Sequence, residues 1–267
     1  MKLNIDYVSD LHLTHYISKN ESITKIDKLV QDKISMQVKG DILVVAGDID
    51  EDINRVSELL YSCSKYYKKV IFVLGNHEYY IPVIKYIYTD PMAKEYNYNS
   101  MNKVYRLNEV FKDNKDIIIL DKTNNTKGLY TYNTFLLAGD TLWYKPVTLV
   151  DKLYNYPIQN DSRFILSELS KKDKIQKLHN DSISWYNNLP NNIDLMITHV
   201  PPFRNKSNSR GNNSCYYTKV KEYKSPVWIY GHDHKEEDII INNTRLVSNP
   251  WGYDTKEFKI KILTLTK

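Results

Sequence analysis

Five of the seven histidines in this 267-residue chain fall in short polar clusters, each at the end of an apolar run. Asp10-Leu11-His12 follows residues 3–8, Gly47-Asp48 follows 41–46, and Gly75-Asn76-His77-Glu78 follows 70–74. His199 ends the run 193–198, and Gly231-His232-Asp233-His234 ends 226–230. Any one of these histidines alone would be read as a packed or surface residue. Together they are harder to dismiss, because structural histidines need not recur at the same end of successive runs. The donor types also fit one purpose. Asp offers hard oxygen, His imidazole nitrogen and Asn a neutral carbonyl oxygen, a set that suits Mn, Fe, Zn, Ni or Co better than a thiolate-selecting site would.

The runs read as strands and alternate with stretches of helical length at 21–38 and 51–67, which predicts a βαβ start and a largely parallel sheet. In such a sheet the loops at the carboxyl ends converge on one crevice. Five loops can then aim their side chains at one point. Residues 81–111 are expected to be helical, with Pro82 in the first turn. Short strands follow at 117–120, 129–132 and 135–138. A long connection over 141–160 is the expected lid or insertion, leading into a helix that ends near Leu189-Pro190. A hairpin over 238–248 and an alternating tail over 258–265 complete the pattern. The polar stretch 205–214 reads as a surface loop.

Hydrophobic residues make up 42% and charged residues 26%, a balance that excludes a disordered or membrane class. The formal charge of +5 is modest, and the clusters KYYKK at 65–69 and KKDK at 171–174 read as solvated helix faces rather than a nucleic-acid groove. Cys63 and Cys215 lack metal or redox spacing and suggest a reducing compartment. The first residues carry Asn4, Asp6, Ser9 and Asp10 where a signal peptide needs an apolar stretch, and no segment has the apolar length of a bilayer span. We therefore expect a cytoplasmic protein with a single domain over 1–267.

The blocks SDLHL, AGDI, GNHEYY, THVPP and YGHDH resemble, in order and spacing, the successive motifs of calcineurin-like metallophosphoesterases. TLWY at 141, NDSR at 160 and SNPWGY at 248 are similar to a compact bacterial and phage branch of that family. The resemblance implies an α/β sandwich of mixed β-sheets flanked by helices, with two divalent metal ions at the strand ends, Mn ahead of Fe, Zn, Ni or Co. Carried over by position, Asp10, His12 and His234 hold one ion, Asn76, His199 and His232 the other, and Asp48 bridges them. Gly231 lets the backbone turn, Asp233 points elsewhere, and His77 stands beside a ligand without being one.

Two cations roughly 3.5–4 Å apart can hold a hydroxide and neutralise phosphoryl oxygens during in-line displacement. The departing alkoxide needs a proton, and His77 is the natural general acid, the alternative being a group that only hydrogen-bonds the oxyanion. Glu78 is read as orienting His77 or facing solvent, and Asp50 and Asp233 as outer acceptors or solvated carboxylates. His179 is a packing or capping residue, and His15 has no motif partner. Arg163 either reaches a substrate phosphate or forms a surface ion pair. Tyr79, Tyr80, Tyr216, Tyr217 and Trp251 are candidates for stacking on a base. The reading is thus a phosphatase or phosphodiesterase acting on a small phosphate ester or nucleotide, with no membrane partner. Its alternatives are a nuclease for short or single-stranded nucleic acid and a non-catalytic metal-binding scaffold.

Overall fold

The computed structural model describes residues 1–18, 24–82, 90–205, 212–253 and 257–267. Among the described residues, eleven strands form two sheets. The first sheet has the order β11-β1-β2-β3-β4, from β1 (Lys2–Val8), β2 (Ile42–Ala46), β3 (Lys69–Val73), β4 (Ile117–Leu120) and β11 (Lys261–Thr266). β1 to β4 are parallel, and β11 runs antiparallel along β1. The second has the order β5-β6-β7-β8-β10-β9, from β5 (Leu129–Tyr132), β6 (Phe135–Asp140), β7 (Leu195–Thr198), β8 (Val227–Tyr230), β9 (Glu237–Ile241) and β10 (Thr244–Ser248). Here β6, β7, β8 and β10 are parallel, with β5 and β9 antiparallel at the edges. This is the mixed-sheet α/β sandwich expected from the sequence.

The apolar strands are unbroken hydrophobic runs because both of their faces are covered. Successive side chains point to opposite faces. Ile42, Val44 and Ala46 of β2 join Ile5, Ile71, Leu137, Ile197 and Ile229 in the layer between the sheets. Leu43 and Val45 instead pack outward with Val56, Leu59 and Leu60 of α2 (Ile53–Ser64) and Val104 and Leu107 of α4 (Ser100–Phe111). Behind the second sheet, Met196, Trp228 and Leu246 pack with Tyr186 of α7 (Lys171–Asn187). Helix, sheet, sheet and helix therefore stack as four layers.

Two expectations need correction. Residues 81–111 are not one helix: Ile81 and Pro82 are non-helical, and residues 83–89 lie outside the described segments. The helices that follow are short, α3 (Pro91–Glu95) and α4. The Asp90 side chain caps α3 through Met92 N and Ala93 N, and Asn99 caps α4 through Met101 N. Between them Asn97 and Tyr98 take φ of 50° and 55°, which ends one helix before the next begins. The connection 141–160 is likewise not all lid, since Trp143 and Tyr144 are fully buried in the core. From Val147 onward, through the helical turns Asp151–Asn155 and α5 (Tyr156–Ile158) into α6 (Asn160–Phe164), it runs along the surface with Asp151, Tyr156 and Asp161 turned inward.

Candidate metal centre

Parallel strands deliver their following loops to one edge, and here two sheets share it. Backbone bonds stitch these loops together: Asp10 N to Gly47 O and His12 N to Asp48 O, both at 3.0 Å, Gly231 N to His199 O at 2.9 Å, and Trp251 N to Ser9 O at 3.0 Å. Five of the seven expected ligands, Asp10, His12, Asp48, His232 and His234, have φ between 42° and 71°. Left-handed backbone at non-glycine residues costs on the order of 1–3 kcal/mol each and persists only where the surroundings enforce it. Glycines make room beside them. A Cβ on Gly75 would sit 2.1 Å from Asp48 Oδ1, and one on Gly231 would sit 2.6 Å from Asp10 Oδ2. Close approach to Asp10, rather than a tight turn, is therefore what Gly231 provides.

The side chains form two groups that share one carboxylate. In the first, His12 Nε2 and His234 Nε2 lie 3.1 Å apart, and Asp10 Oδ1 is 3.3 Å from His234 Nε2. In the second, Asn76 Oδ1 lies 2.9 Å from His199 Nε2 and 3.1 Å from His232 Nδ1. Asp48 Oδ2 faces both, at 3.7 Å from His12 Nε2 and 3.2 Å from His199 Nε2. Asp10, His12 and His234 could hold one cation, and Asp48, His199 and His232 another. Ligands roughly 2.0–2.2 Å from a common cation are about 3 Å from each other, so these separations fit.

The donor chemistry fits as well. His199 Nδ1 faces Ala46 O at 2.9 Å and His232 Nε2 faces Cys215 O at 3.1 Å. A carbonyl only accepts, so those ring nitrogens carry the protons. In the neutral rings the opposite nitrogens then present lone pairs to the shared space, the arrangement outer partners impose on metal-bound imidazoles. The charges agree. Burial raises the Asp10 and Asp48 carboxyls, but neighbouring imidazoles outweigh it and hold both well below the usual range. Burial draws His12 down to about 3 and His232 down to about 4. His199 is also pulled down by burial, yet Asp48 and Asp10 push it up to about 10, a measure of the local demand for positive charge.

His77 stands at the opening. Its side chain and that of His234 are 13% exposed, whereas Asp10 and His199 are fully buried. Its Nε2 is 3.9 Å from Asp48 Oδ2, close enough that His12, Asp48 and His77 form a further group able to hold a cation. Burial lowers the His77 pKa, and Asp48 and Glu51 more than reverse this, leaving it raised. Glu51 Oε1, 3.6 Å from His77 Nδ1, occupies the place expected of Glu78. Glu78 neither orients His77 nor faces solvent. It is buried and accepts from Gly75 N at 2.6 Å, Ile49 N at 2.7 Å, Asp48 N at 3.0 Å and Asp50 N at 3.3 Å, locking two ligand loops together. Burial and the Asp48 charge push its pKa up to about 7.

The other candidates separate clearly. Asp50 is buried against Arg55 Nε at 2.9 Å. Asp233 accepts from Lys235 N and Asn205 Nδ2. His179 Nδ1 meets Trp143 O at 2.8 Å, a packing contact. Arg163 is exposed on α6 and is not among the residues lining the metal cavity. That cavity, of about 270 Å³, is lined by Tyr80 and Tyr216 among the expected aromatics. Tyr79 is buried against Trp143, Trp251 stacks on Tyr16 at 3.7 Å, and Tyr217 lines a different cleft. Residues 206–211 of the expected loop lie outside the described segments. Sequence reasoning missed Tyr253, whose ring lies 4.4 Å from His12 and 4.6 Å from both His15 and His234. The only signal for it was its place in SNPWGY.

The calcineurin-like phosphoesterase family matches residues 3–236. An uncharacterised protein of Acanthamoeba polyphaga mimivirus is 25% identical over 92% of this chain and 90% of its own length. The crystal structure of the phosphopantetheinyl hydrolase of Mycobacterium tuberculosis superposes with a TM-score of 0.63 at 16% identity, covering 94% of this chain and 89% of that one. Among the described residues no helix is long and apolar enough to cross a membrane.

Proposed function

The chain belongs to the calcineurin-like phosphoesterase family, metal-dependent phosphoric ester hydrolases, and from that premise we propose a binuclear enzyme that hydrolyses a small phosphomonoester or phosphodiester. The observation that carries the binuclear reading is the position of one oxygen, Asp48 Oδ2, between the His12 and His199 nitrogens. Asp10, His12 and His234 would hold one divalent ion, Mn(II) first among candidates, and Asn76, His199 and His232 the other. When bound, the ions would supply charge neutralisation at the phosphoryl oxygens and acidify a water.

The chain's own groups do the rest. The Ala46 and Cys215 carbonyls hold two imidazoles in the tautomers that face the cavity. His77 stands at the opening, with Glu51 Oε1 3.6 Å from its Nδ1, placed to hold a proton for a leaving group that departs through that mouth. Asp48 Oδ1 accepts from His77 N at 2.9 Å, tying the proposed acid to the bridging carboxylate. A cavity of about 270 Å³ suits a phosphate ester or a nucleotide, with Tyr216 and Tyr253 as flanking rings.

The test is to measure bound metal and turnover together. Protein reconstituted with Mn(II) should carry two ions per chain and hydrolyse aryl phosphates, and a panel of nucleotides, cyclic nucleotides and short oligonucleotides then ranks the leaving group. A fully loaded protein that turns over none of them would reduce the site to a scaffold.

A further inference from the structure

We infer that Asp161 is the positioning residue that turns Asn76 into a metal ligand, an inference that rests on the binuclear reading above. The two ends of an amide side chain have nearly the same shape, so its neighbours decide which one faces a cation. For Asn76 the neighbours are specific. Asp161, 2% exposed on α6, places Oδ1 2.9 Å from Asn76 Nδ2. The same oxygen accepts the Tyr80 hydroxyl proton, and Oδ2 accepts that of Tyr144. The Tyr80 oxygen in turn accepts from Asn76 Nδ2 at 2.8 Å.

An ionised carboxylate can only accept. Facing Asp161, Asn76 must present its nitrogen, and both amide protons are then used on the side away from His199 and His232. Oδ1 is left pointing at His199 Nε2 and His232 Nδ1, the two nitrogens whose lone pairs the backbone carbonyls have already turned inward. With both rings neutral, Oδ1 and these two nitrogens are all acceptors, Oδ1 lying 2.9 and 3.1 Å from them, and a cation among them would relieve their repulsion. The flipped amide would put an N–H there and a carbonyl oxygen against the Asp161 carboxylate. Asp161 therefore selects a cation-binding Asn76 over a hydrogen-bonding one, and its negative charge strengthens Oδ1 as a donor.

The arrangement also gives a role to two sequence segments that had none. Tyr144 comes from TLWY and Asp161 from NDSR, and Tyr80 ends GNHEYY. The three meet behind Asn76, where all three are buried.

The experiment uses Mn(II) alone as probe, with metal content after dialysis, chelator competition, and electron paramagnetic resonance to tell a coupled ion pair from an isolated ion. Wild-type protein should bind two Mn(II) with a coupled signal. Asp161→Asn offers one acceptor oxygen and two donors where three donors must be received. It should weaken one ion by about 10–100-fold, the usual loss for an outer partner of a ligand, and leave the other isolated. Unchanged affinity for both ions overturns the inference. So does equal weakening of both with a lowered melting temperature, which would make Asp161 mere packing. A wild-type protein that takes fewer than two Mn(II) overturns the binuclear reading itself, and is recognised because the defect precedes the substitution. Should Asp161→Asn fail to fold, Tyr80→Phe removes one acceptor from Asn76 Nδ2 while keeping the ring. It should weaken the same ion selectively by several-fold, and no selective loss there overturns the inference as well.

Discussion

The floor and the rim of the metal cavity are built on opposite principles. On the floor, Asp10, His12, Asp48, Asn76, His199 and His232 are each at most 7% exposed, and four of the six sit on left-handed backbone. On the rim, Ile158 lines the cavity, and the surface stretch leading to it carries Val147, Leu149, Val150, Leu153 and Tyr154; all six are apolar and 56–71% exposed. Floor residues are held by several bonds at once, so the loss of one group strains the rest. The rim stretch is anchored at a few points, Val147 N donating to Ser214 Oγ at 2.8 Å and Ser214 Oγ to Asp151 Oδ2 at 2.6 Å, while its apolar side chains stay in solvent. The contrast suits the proposed reaction, in which the floor would handle the phosphoryl group and the rim would meet whatever is attached to it.

The sharpest way to break this contrast is at the point where the floor is most shared. Asp48→Asn keeps the shape but removes the charge that faces both ligand groups. Its loss should exceed the roughly 10–100-fold typical of an outer partner. We expect both ions to dissociate and turnover of every substrate to fall to background, as read by metal analysis. A variant that retains two ions and full activity would remove Asp48 from the bridge. Chelation of the unaltered protein should have the same effect, reversed by Mn(II).

His77 lies where floor meets rim, and its effect should depend on the substrate. A poor leaving group needs its proton in the transition state, whereas a nitrophenolate departs with little help. General acid assistance is commonly worth about 10²–10⁴ in rate, so His77→Ala should lose roughly that on an alkyl or nucleoside phosphate and clearly less on an activated aryl ester. Comparison at matched Mn(II) occupancy is essential. Equal losses on both classes would assign His77 to phosphoryl charge instead, and a variant that cannot retain metal would make it a ligand with His12 and Asp48.

Much of the floor was legible in the sequence because its information is local. A strand, a polar cluster and a glycine recur together, and parallel topology carries the clusters to one edge. The rest depended on contacts between distant segments. Nothing near Glu78 shows that it accepts from Asp48 N and Ile49 N, some thirty residues away. Glu51, read only as the start of a helix, reaches His77 from the neighbouring loop. Trp143 and Tyr144 looked like lid because no periodicity marks a short buried segment, and residues 81–111 looked like one helix because their apolar spacing continues across the Asn97-Tyr98 break.

Glu78 allows a smaller test that separates holding the floor from doing chemistry. Gln has the same shape, but its amide nitrogen cannot accept from backbone N–H groups. Glu78→Gln should strand some of the four that now share its carboxylate, each at a cost of about 1–3 kcal/mol when buried. In a chain of this size that amounts to a fall in melting temperature of about 2–4 °C per kcal/mol. The drop should persist at saturating Mn(II), with the ratio of activities on alkyl and aryl esters unchanged. An altered ratio without loss of stability would bring Glu78 into the reaction.

The smallest effect is expected at the rim, and it is informative because it should appear in one measurement only. Trimming must start after Tyr144, since the first part of the connection is core. Tyr154→Ala with Ile158→Ala removes two side chains that are each 67% exposed, so folding stability should stay within about 0.5 kcal/mol of wild type. Metal content should not move, because neither residue touches a ligand group. Ile158 does line the cavity, and an apolar leaving group that crosses it would lose a contact that a polar one never made. One apolar contact of this kind is worth no more than about 10-fold at its lower end. The ratio of kcat/KM for an alkyl phosphate to that for glycerol phosphate should therefore fall by up to that factor while kcat for the polar ester holds steady. An unchanged ratio across a panel of leaving groups would make the rim ordinary surface, and selectivity would then have to lie with Tyr216 or Tyr253.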